Sequence, residues 1–301
     1  MKVLITGGLG FVGTQLSIRL LERGHAVTVV GRSRQRKPYT PEAIQYISAD
    51  TTIRGPWQEA LKDQDAVVNL AGASIFTRWT KKTKKRLYDS RVVTTQNVVE
   101  GLSSVGKTLL CSTSAVGYYG FRDDETLTEE ASPGNDFLAN LCVDWEKEAG
   151  KASEKGCRVI INRFGIVLGK TGGALGQMIP AFKRFVGGPL GSGKQWFSWM
   201  HMEDLINAFL FAFEHKDLEG PVNLCAPNPV QNRDLAKAFG RALSRPSFVK
   251  TPGFALRLAM GELGSLLLEG QRVIPEKLLR YGFQFTYPTI EGALREALSK
   301  A

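Results

Sequence analysis

The residues best suited to holding a ligand stand near the start of the chain, in TGGLGFVG (Thr6–Gly13). Gly7, Gly10 and Gly13 follow the apolar run Lys2–Thr6 at G-x-x-G-x-x-G spacing and open a helical pattern. Gly7 permits a sharp turn, Gly10 a close approach of backbone to a pyrophosphate, and Gly13 tight packing of helix on sheet. The first helical N–H groups, on residues such as Phe11 and Val12, lack partners within the helix. Together with the helix dipole they favour an anion. Strand, turn and helix in that order are the context in which such glycines bind a dinucleotide.

The next apolar run ends in VTVVGRSRQRK (27–37). An NAD site would offer an acidic side chain there to the ribose 2′-hydroxyl. This chain offers Gly31, Arg32, Ser33 and Arg34 instead. A carboxylate would repel a 2′-phosphate, whereas a guanidinium can bind it and stack on adenine. The cofactor expected is therefore NADP(H), with Arg32 as the main anchor beside Gly31 and Ser33. Arg34 and Arg36 read as readily as loop surface. In NLAGA (69–73) the small residues Leu70, Ala71 and Gly72 let backbone lie against the cofactor's ribose and pyrophosphate. Asp50 could meet the adenine amino group or cap a turn. Arg91, on a basic helix, could reach the cofactor phosphates or the active cleft, or belong to a solvated face.

Other patterns carry less. GPLGSGKQ (188–195) fits G-x-x-x-x-G-K, but Gln195 stands where a triphosphate loop needs Ser or Thr. No strand precedes it, and Trp196-Phe197 continue in a strand-like pattern. The run Cys111–Ser114 has no nucleophile elbow around it. No cluster of His, Cys, Asp and Glu shows metal spacing.

To position these residues the chain supplies short β-branched runs at Lys2–Thr6, Ala26–Val30, Ala66–Leu70, Thr108–Thr113 and Arg158–Phe164. Helical patterns lie between them, notably Phe11–Arg23, Lys81–Leu102 and Phe137–Lys155. Apolar strands alternating with amphipathic helices predict an α/β fold: a parallel sheet covered on both faces and wound right-handedly into a Rossmann architecture. After Gly169 the stretch 169–200 is punctuated by Gly and Pro. Helical patterns then dominate at Met202–Glu214, Asn232–Ala242, Phe254–Leu268 and Thr289–Ser299, with one further strand at Val222–Cys225. The expected organisation is an NADP-binding domain over residues 1–168, its sheet completed by 201–226, and a small, mostly helical substrate-side lobe over 169–301.

Composition bounds the alternatives. The chain has 301 residues, 43% of them hydrophobic, and a net charge of +10. Much of the excess lies in RSRQRK (32–37) and KKTKKR (81–86). Neither cluster is accompanied by stacking aromatics or a reading module, so no nucleic-acid partner is expected. Attraction to a small polyanionic ligand explains the charge more simply. No apolar run suits a signal peptide core or a bilayer span, which sets membrane partners aside. The four scattered cysteines suit a reducing cytoplasm. An oligomer is compatible with the sequence but not legible in it.

Taken together, TGGLGFVG, NLAGA, CSTSAVGYYG (111–120) and WMHMEDL (199–205) resemble an extended short-chain dehydrogenase/reductase. The narrower likeness is to the atypical "NAD-dependent epimerase/dehydratase" subgroup, whose bacterial and human members are known as epimerase family proteins. It rests on AVGYYG, DWE (144–146), GIVLGKTGGALGQMIP (165–180), GGPLGSGKQWFSWMHMEDL (187–205) and LLLEGQRVIPEKL (266–278), and so spans essentially the whole chain. The resemblance implies NADP(H) binding and a subgroup-typical C-terminal segment over about 245–298. It places Ser114 near the strand-end serine or threonine of the family's catalytic set. It also puts Leu138 in the slot of the usual tyrosine and Cys142 in that of the lysine, neither of which can do that work. Substitutes for the proton donor are Tyr118 or Tyr119, which could equally be packing, and His201, which could equally cap a helix. Asn140, Asp144, Arg163 and Gln195 are further candidates for the cleft. Two readings stay open: an oxidoreductase or epimerase acting on a small polar substrate, with sugar-like compounds as one class, and an NADP(H)-binding sensor or scaffold without turnover.

Overall fold

The β-branched runs of the first half form one sheet, buried on both faces as their near-continuous apolarity requires. In chain order the elements are β1 (Lys2–Thr6), α1 (Phe11–Glu22), β2 (Ala26–Gly31), β3 (Gln45–Ser48), β4 (Ala66–Asn69), α2 (Lys81–Tyr88), α3 (Thr94–Gly101), β5 (Leu109–Ala115), β6 (Thr126–Leu127), α4 (Phe137–Gly150) and β7 (Arg158–Phe164). There follow β8 (Ile166–Gly169), α5 (Gly173–Lys183), β9 (Trp196–Phe197), β10 (Trp199–His201), α6 (Met202–Glu214), β11 (Gly220–Leu224) and β12 (Val230–Gln231). The chain closes with α7 (Asn232–Leu243), α8 (Gly253–Met260), α9 (Glu262–Leu266), β13 (Arg272–Val273), α10 (Glu276–Arg280) and α11 (Ile290–Leu298). The computed structural model describes residues 1–38, 40–103, 108–170 and 172–299.

Seven strands lie in the order β11-β7-β5-β4-β1-β2-β3, and every pairing among them is parallel. This is a doubly wound Rossmann sheet whose strand order reverses between β1 and β4, so a crevice opens at their carboxyl ends. Leu4, Ile5, Leu16 and Leu20 are fully buried between β1, α1 and their neighbours. Each such side chain stabilises the fold by roughly 1.5–3 kcal/mol. A second apolar cluster joins Leu168, Leu175, Phe182, Trp199 and Phe239 to Leu294 and Leu298 of α11, which anchors the C-terminal segment.

The structure departs from the periodicity in three places. The single helix expected over Lys81–Leu102 is α2 and α3 joined by a π-helical turn, Asp89–Val93. Such a turn inserts one extra residue and re-aims the side chains after it. The helix expected over Phe254–Leu268 breaks at Gly261, whose φ of 60° ends α8 before α9 begins. In the stretch 169–200, read as Gly/Pro-punctuated, α5 forms despite Pro180 within it. The two-residue strands pair β6 with β13 and β9 with β12. Such short pairs are fixed by tertiary neighbours and leave no periodic signal.

Candidate functional site

The turn after β1 has the geometry its glycines imply. Gly7 adopts φ +69°, and a Cβ there would lie 2.9 Å from the carbonyl oxygen of Leu70 and 3.0 Å from Ala71 Cα. The ends of β1 and β4 are therefore pressed together, and Leu70, Ala71 and Gly72 line the crevice. A Cβ on Gly13 would meet Gly8 Cα at 2.5 Å and Gly7 O at 2.6 Å, so backbone packs on backbone where α1 starts. The Gly10 N–H donates to Gly7 O at 2.9 Å, and the Thr14 N–H donates to Gly10 O at 3.0 Å. No hydrogen-bond partner is recorded for the N–H groups of Phe11 and Val12 among the described residues, and the first turn of α1 has no acidic residue. The Phe11 ring packs under Gly169, Gly172 and Gly173, where added Cβ atoms would come within 3.1, 3.1 and 2.7 Å. The segment after β8 thus crosses over the phosphate-type turn.

At the end of β2 the backbone is braced. Tyr46 Oη donates to Gly31 O (3.0 Å) and Ser33 O (2.6 Å), and Ser48 Oγ donates to Ser33 O (2.8 Å). Arg32 and Ser33 are exposed at the rim of the crevice. Lys37 reaches back to donate to Leu9 O at 2.7 Å, laying the basic loop over the glycine turn. Asp50 accepts from Thr52 N–H and Thr52 Oγ1, so it caps a turn. These groups fit a phosphorylated dinucleotide: a cradle that any Cβ would fill, free helical N–H groups, and cations without a carboxylate among them.

Beside the crevice, at the carboxyl ends of β5 and β7, lies a buried polar chain. Ser114 Oγ donates to Glu146 Oε1 at 2.6 Å. Arg163 grips the same carboxylate in a fork, Nε to Oε1 at 2.9 Å and Nη2 to Oε2 at 2.8 Å. Its Nη1 donates to Tyr119 Oη at 2.9 Å, and Tyr119 donates to Asn223 Oδ1 at 2.7 Å. The Tyr118 ring lies over the Arg163 guanidinium at 3.5 Å. Burial works against the Arg163 charge, but the bonds and charge of Glu146 hold it above its ordinary value. Burial raises Tyr119, with Arg163 opposing only in part.

The structure sorts the sequence candidates accordingly. Ser114, Tyr118 and Tyr119 come together, and Tyr118 Oη is the phenol of the pair with no recorded partner among the described residues. Tyr119 is fully buried and its hydroxyl is committed on both sides. His201 is held elsewhere. It caps α6 by accepting from the Glu203 N–H, bonds Glu296 through Nε2 at 2.8 Å and lies 4.0 Å from the Tyr287 ring. Both geometries match the packing and capping alternatives, because neither group has a polar atom left for a substrate. Arg163 is engaged by Glu146, Tyr119 Oη and the Glu129 carbonyl. Gln195 tethers Leu190 O and Leu267 O, and Asn140, exposed, bonds Asn135 O. Asp144 faces Tyr88.

Leu138 lies beneath Gly117, within 3.6 Å of a Cβ there. Cys142 is buried and faces Ala115 O at 3.9 Å; burial and then Glu146 push its thiol up to about 11, so this slot carries no charge at neutral pH. Arg91 lies nearby, its Nη2 donating to Ala73 O at 3.0 Å and its guanidinium 5.5 Å from the Trp145 ring. Burial lowers its pKa, with Cys142 opposing. The sequence points to Ser114 and Arg163 singly and carries Glu146 within DWE, but it does not display that the three meet. Chemically, the Ser114 hydroxyl can accept a hydrogen bond from a substrate hydroxyl while its own O–H donates to Glu146. Among the described residues no group of His, Cys, Asp and Glu is placed to hold a metal ion, and no helix is long and apolar enough to cross a membrane.

This fold and crevice define a doubly wound nucleotide-binding protein of the extended short-chain dehydrogenase/reductase type. The chain belongs to the NAD dependent epimerase/dehydratase family, whose model matches residues 3–225. Residues 251–297 match a domain of unknown function, DUF1731. The chain is 41% identical over 299 residues to the epimerase family protein SDR39U1 homolog, chloroplastic, of Arabidopsis thaliana, covering 98% of this chain and 86% of that one. It is 38% identical over 304 residues to the epimerase family protein YfhF of Bacillus subtilis (strain 168), covering 99% and 98%. The crystal structure of human epimerase family protein SDR39U1 (isoform 2) with NADPH matches 100% of both chains, with a TM-score of 0.87 and 34% identity.

Proposed function

We propose that this protein binds NADP(H) and acts as an oxidoreductase or epimerase on a small polar, sugar-like substrate. The observation that carries the reading is the rim of β2: Tyr46 and Ser48 brace the carbonyls of Gly31 and Ser33 on either side of Arg32, and the segment 31–37 holds no carboxylate to meet a ribose 2′-hydroxyl. The NADPH in the human relative's structure supports it. Bound there, the cofactor would supply or accept a hydride. The Gly7–Gly13 turn and the N–H groups of Phe11 and Val12 would hold its pyrophosphate. Gly31, Arg32 and Ser33 would hold the adenosine phosphate, and Leu70, Ala71 and Gly72 would carry its ribose. Ser114, backed by Glu146, orients the reacting oxygen, and Tyr118 is the phenol free to exchange a proton with it.

A fluorescence titration tests the cofactor. NADPH should bind more tightly than NADH, and Arg32→Ala should weaken NADPH by roughly ten- to a hundred-fold, as loss of a charged hydrogen bond implies, while leaving NADH unchanged. Equal affinities would overturn the NADP(H) assignment. For turnover, Ser114→Ala and Tyr118→Phe should each abolish NADPH oxidation with a reactive carbonyl. A second reading, binding without turnover, is favoured by the commitment of Tyr119 and His201 to structural bonds. It predicts tight NADPH binding with no oxidation across a broad carbonyl panel.

A further inference from the structure

The basic run KKTKKR (81–86), which the cofactor site does not use, lies in α2. One of its cations turns inward. The Lys84 ammonium lies over the Phe137 ring at 4.8 Å and stands 6.0 Å from the Trp79 ring. Those two rings meet edge to face at 5.5 Å, and Trp79 Nε1 donates to Ile75 O at 2.9 Å. The aromatic shelf beneath the ammonium is therefore fixed. Phe137 opens α4, and the next residue, Leu138, lies against Gly117, which stands between Ser114 and Tyr118 in the chain. The shelf thus leads from Lys84 to the polar chain around Ser114.

Lys84 already holds a carboxylate. Its Nζ meets both oxygens of Glu262, Oε1 at 2.9 Å and Oε2 at 2.8 Å. Glu262 comes from the C-terminal segment, at the corner where Gly261 turns α8 into α9. The base of this helical corner is fastened: Gln195 donates to Leu267 O at 3.1 Å, and Leu268 packs on Gly191 and Gly253. Its tip is not. α8 buries none of its residues, and Phe254 and Leu258 on it are 73% and 88% exposed. At the tip the corner reaches α2 through the Lys84–Glu262 pair, whose glutamate is 59% exposed. An ion pair so open to water is weak, so Glu262 can leave at small cost while the rings keep Lys84 in place.

We propose that Lys84 is the carboxylate subsite of the substrate cleft and that Glu262 occupies it in the free protein. A substrate that carries a carboxylate takes the place of Glu262 on Nζ and lays its C–H face against Trp79 and Phe137. Its reacting oxygen is then directed toward Ser114 and Tyr118. Sugar-like acids carry both features. The exchange replaces one carboxylate by another, so Lys84 keeps an anion throughout, and it releases the α8–α9 corner as the substrate arrives. Lys81, Lys82 and Arg86, exposed on the same helix, attract an acid to the cleft from solution. The inference rests on the oxidoreductase or epimerase reading above and names the substrate class of that same site.

Two probes test this on the NADPH-loaded protein: benzoate, a carboxylate on an apolar ring, and benzamide, its neutral counterpart, each titrated by ligand-observed NMR. Benzoate should bind the wild type more tightly than benzamide. Glu262→Gln should tighten benzoate by roughly two- to five-fold, as removal of a competitor held by an exposed ion pair implies, and leave benzamide unchanged. Lys84→Met should erase the preference for benzoate. Hydrogen exchange over residues 253–266 separates displacement of Glu262 from a general effect of charge. Saturating benzoate should speed exchange there in the wild type to the rate of Glu262→Gln, and should not alter the rate in that variant. Failure of benzoate to bind, equal ratios of benzoate to benzamide affinity in all three proteins, or binding that leaves exchange over 253–266 unchanged overturns the inference, and the cofactor reading stands as long as NADPH binds. Wild-type protein that does not bind NADPH overturns the cofactor reading instead.

Discussion

At the scale of single residues, α4 shows how a familiar pair of positions can be turned to packing. Leu138 fills the space under Gly117 and Cys142 is closed into the interior beside Ala115. Restoring a lysine here should therefore fail on its own. Cys142→Lys would bury a second cation near Arg91, and an uncompensated buried charge costs about 3 kcal/mol or more. The variant should unfold at much lower urea than the wild type, and adding Arg91→Met should recover a large part of the loss. Equal urea midpoints for the single and double variants would show that the two positions do not share a charge site. The sequence displays the substitution plainly at Cys142. It does not display that Arg91, 51 positions earlier in the chain, faces the same place, because that proximity is made by the sheet.

At the scale of elements, the β1-turn-α1 unit depends on backbone packing that leaves no room for a side chain. Gly13 is the clearest case: its Cβ would meet main-chain atoms of Gly7 and Gly8, which cannot give way as a flexible side chain would. Gly13→Ala should cost about 1–3 kcal/mol, in the range of overpacked cores, and should weaken NADPH binding together with stability in a denaturant titration. Preserved affinity in a destabilised Gly13→Ala protein would separate the turn from the ligand. This unit was legible in TGGLGFVG because strand, glycines and helix are adjacent in the chain, so local rules set all three. The π-helical turn in the basic helix was not. Its register is set by what Ser90 and Arg91 meet on the segment after β4.

At the scale of the whole molecule, the C-terminal segment is tied to the nucleotide-binding sheet by polar as well as apolar contacts. Lys277 and Asn223 donate backbone N–H groups to Glu129, and β13 pairs with β6. On another side, Glu296 of α11 accepts from His201 and pairs with Lys170. Burial alone would raise Glu296, but the bonds and charge of Lys170 and His201 outweigh it and hold the carboxyl below its ordinary value. A depressed carboxyl stabilises the fold fully above its unfolded value, near about 4.3, and that contribution is lost as the pH falls through the lower native one. Glu296→Gln should thus be less stable than wild type by about 0.5–1.5 kcal/mol at neutral pH, with the gap closing as the solution is acidified below the ordinary glutamate value. A gap that stays constant through that acid range in thermal melts would show that the ion pair is not what ties α11 down.

By itself the sequence determined the class of fold, the place of the nucleotide turn and the chemistry at the end of β2. Each of these is written in residues that are neighbours along the chain, where periodicity and glycine spacing act locally. Only the tertiary structure decided which side chains are free to act. It joined Ser114 to Glu146 and Arg163 from three different elements, spent Tyr119 and His201 on internal bonds, and gave Arg91 only neutral acceptors among the described residues. Burial and pairing between distant segments settle such matters, and the physical terms involved, desolvation and hydrogen-bond satisfaction, exist only once those segments have met.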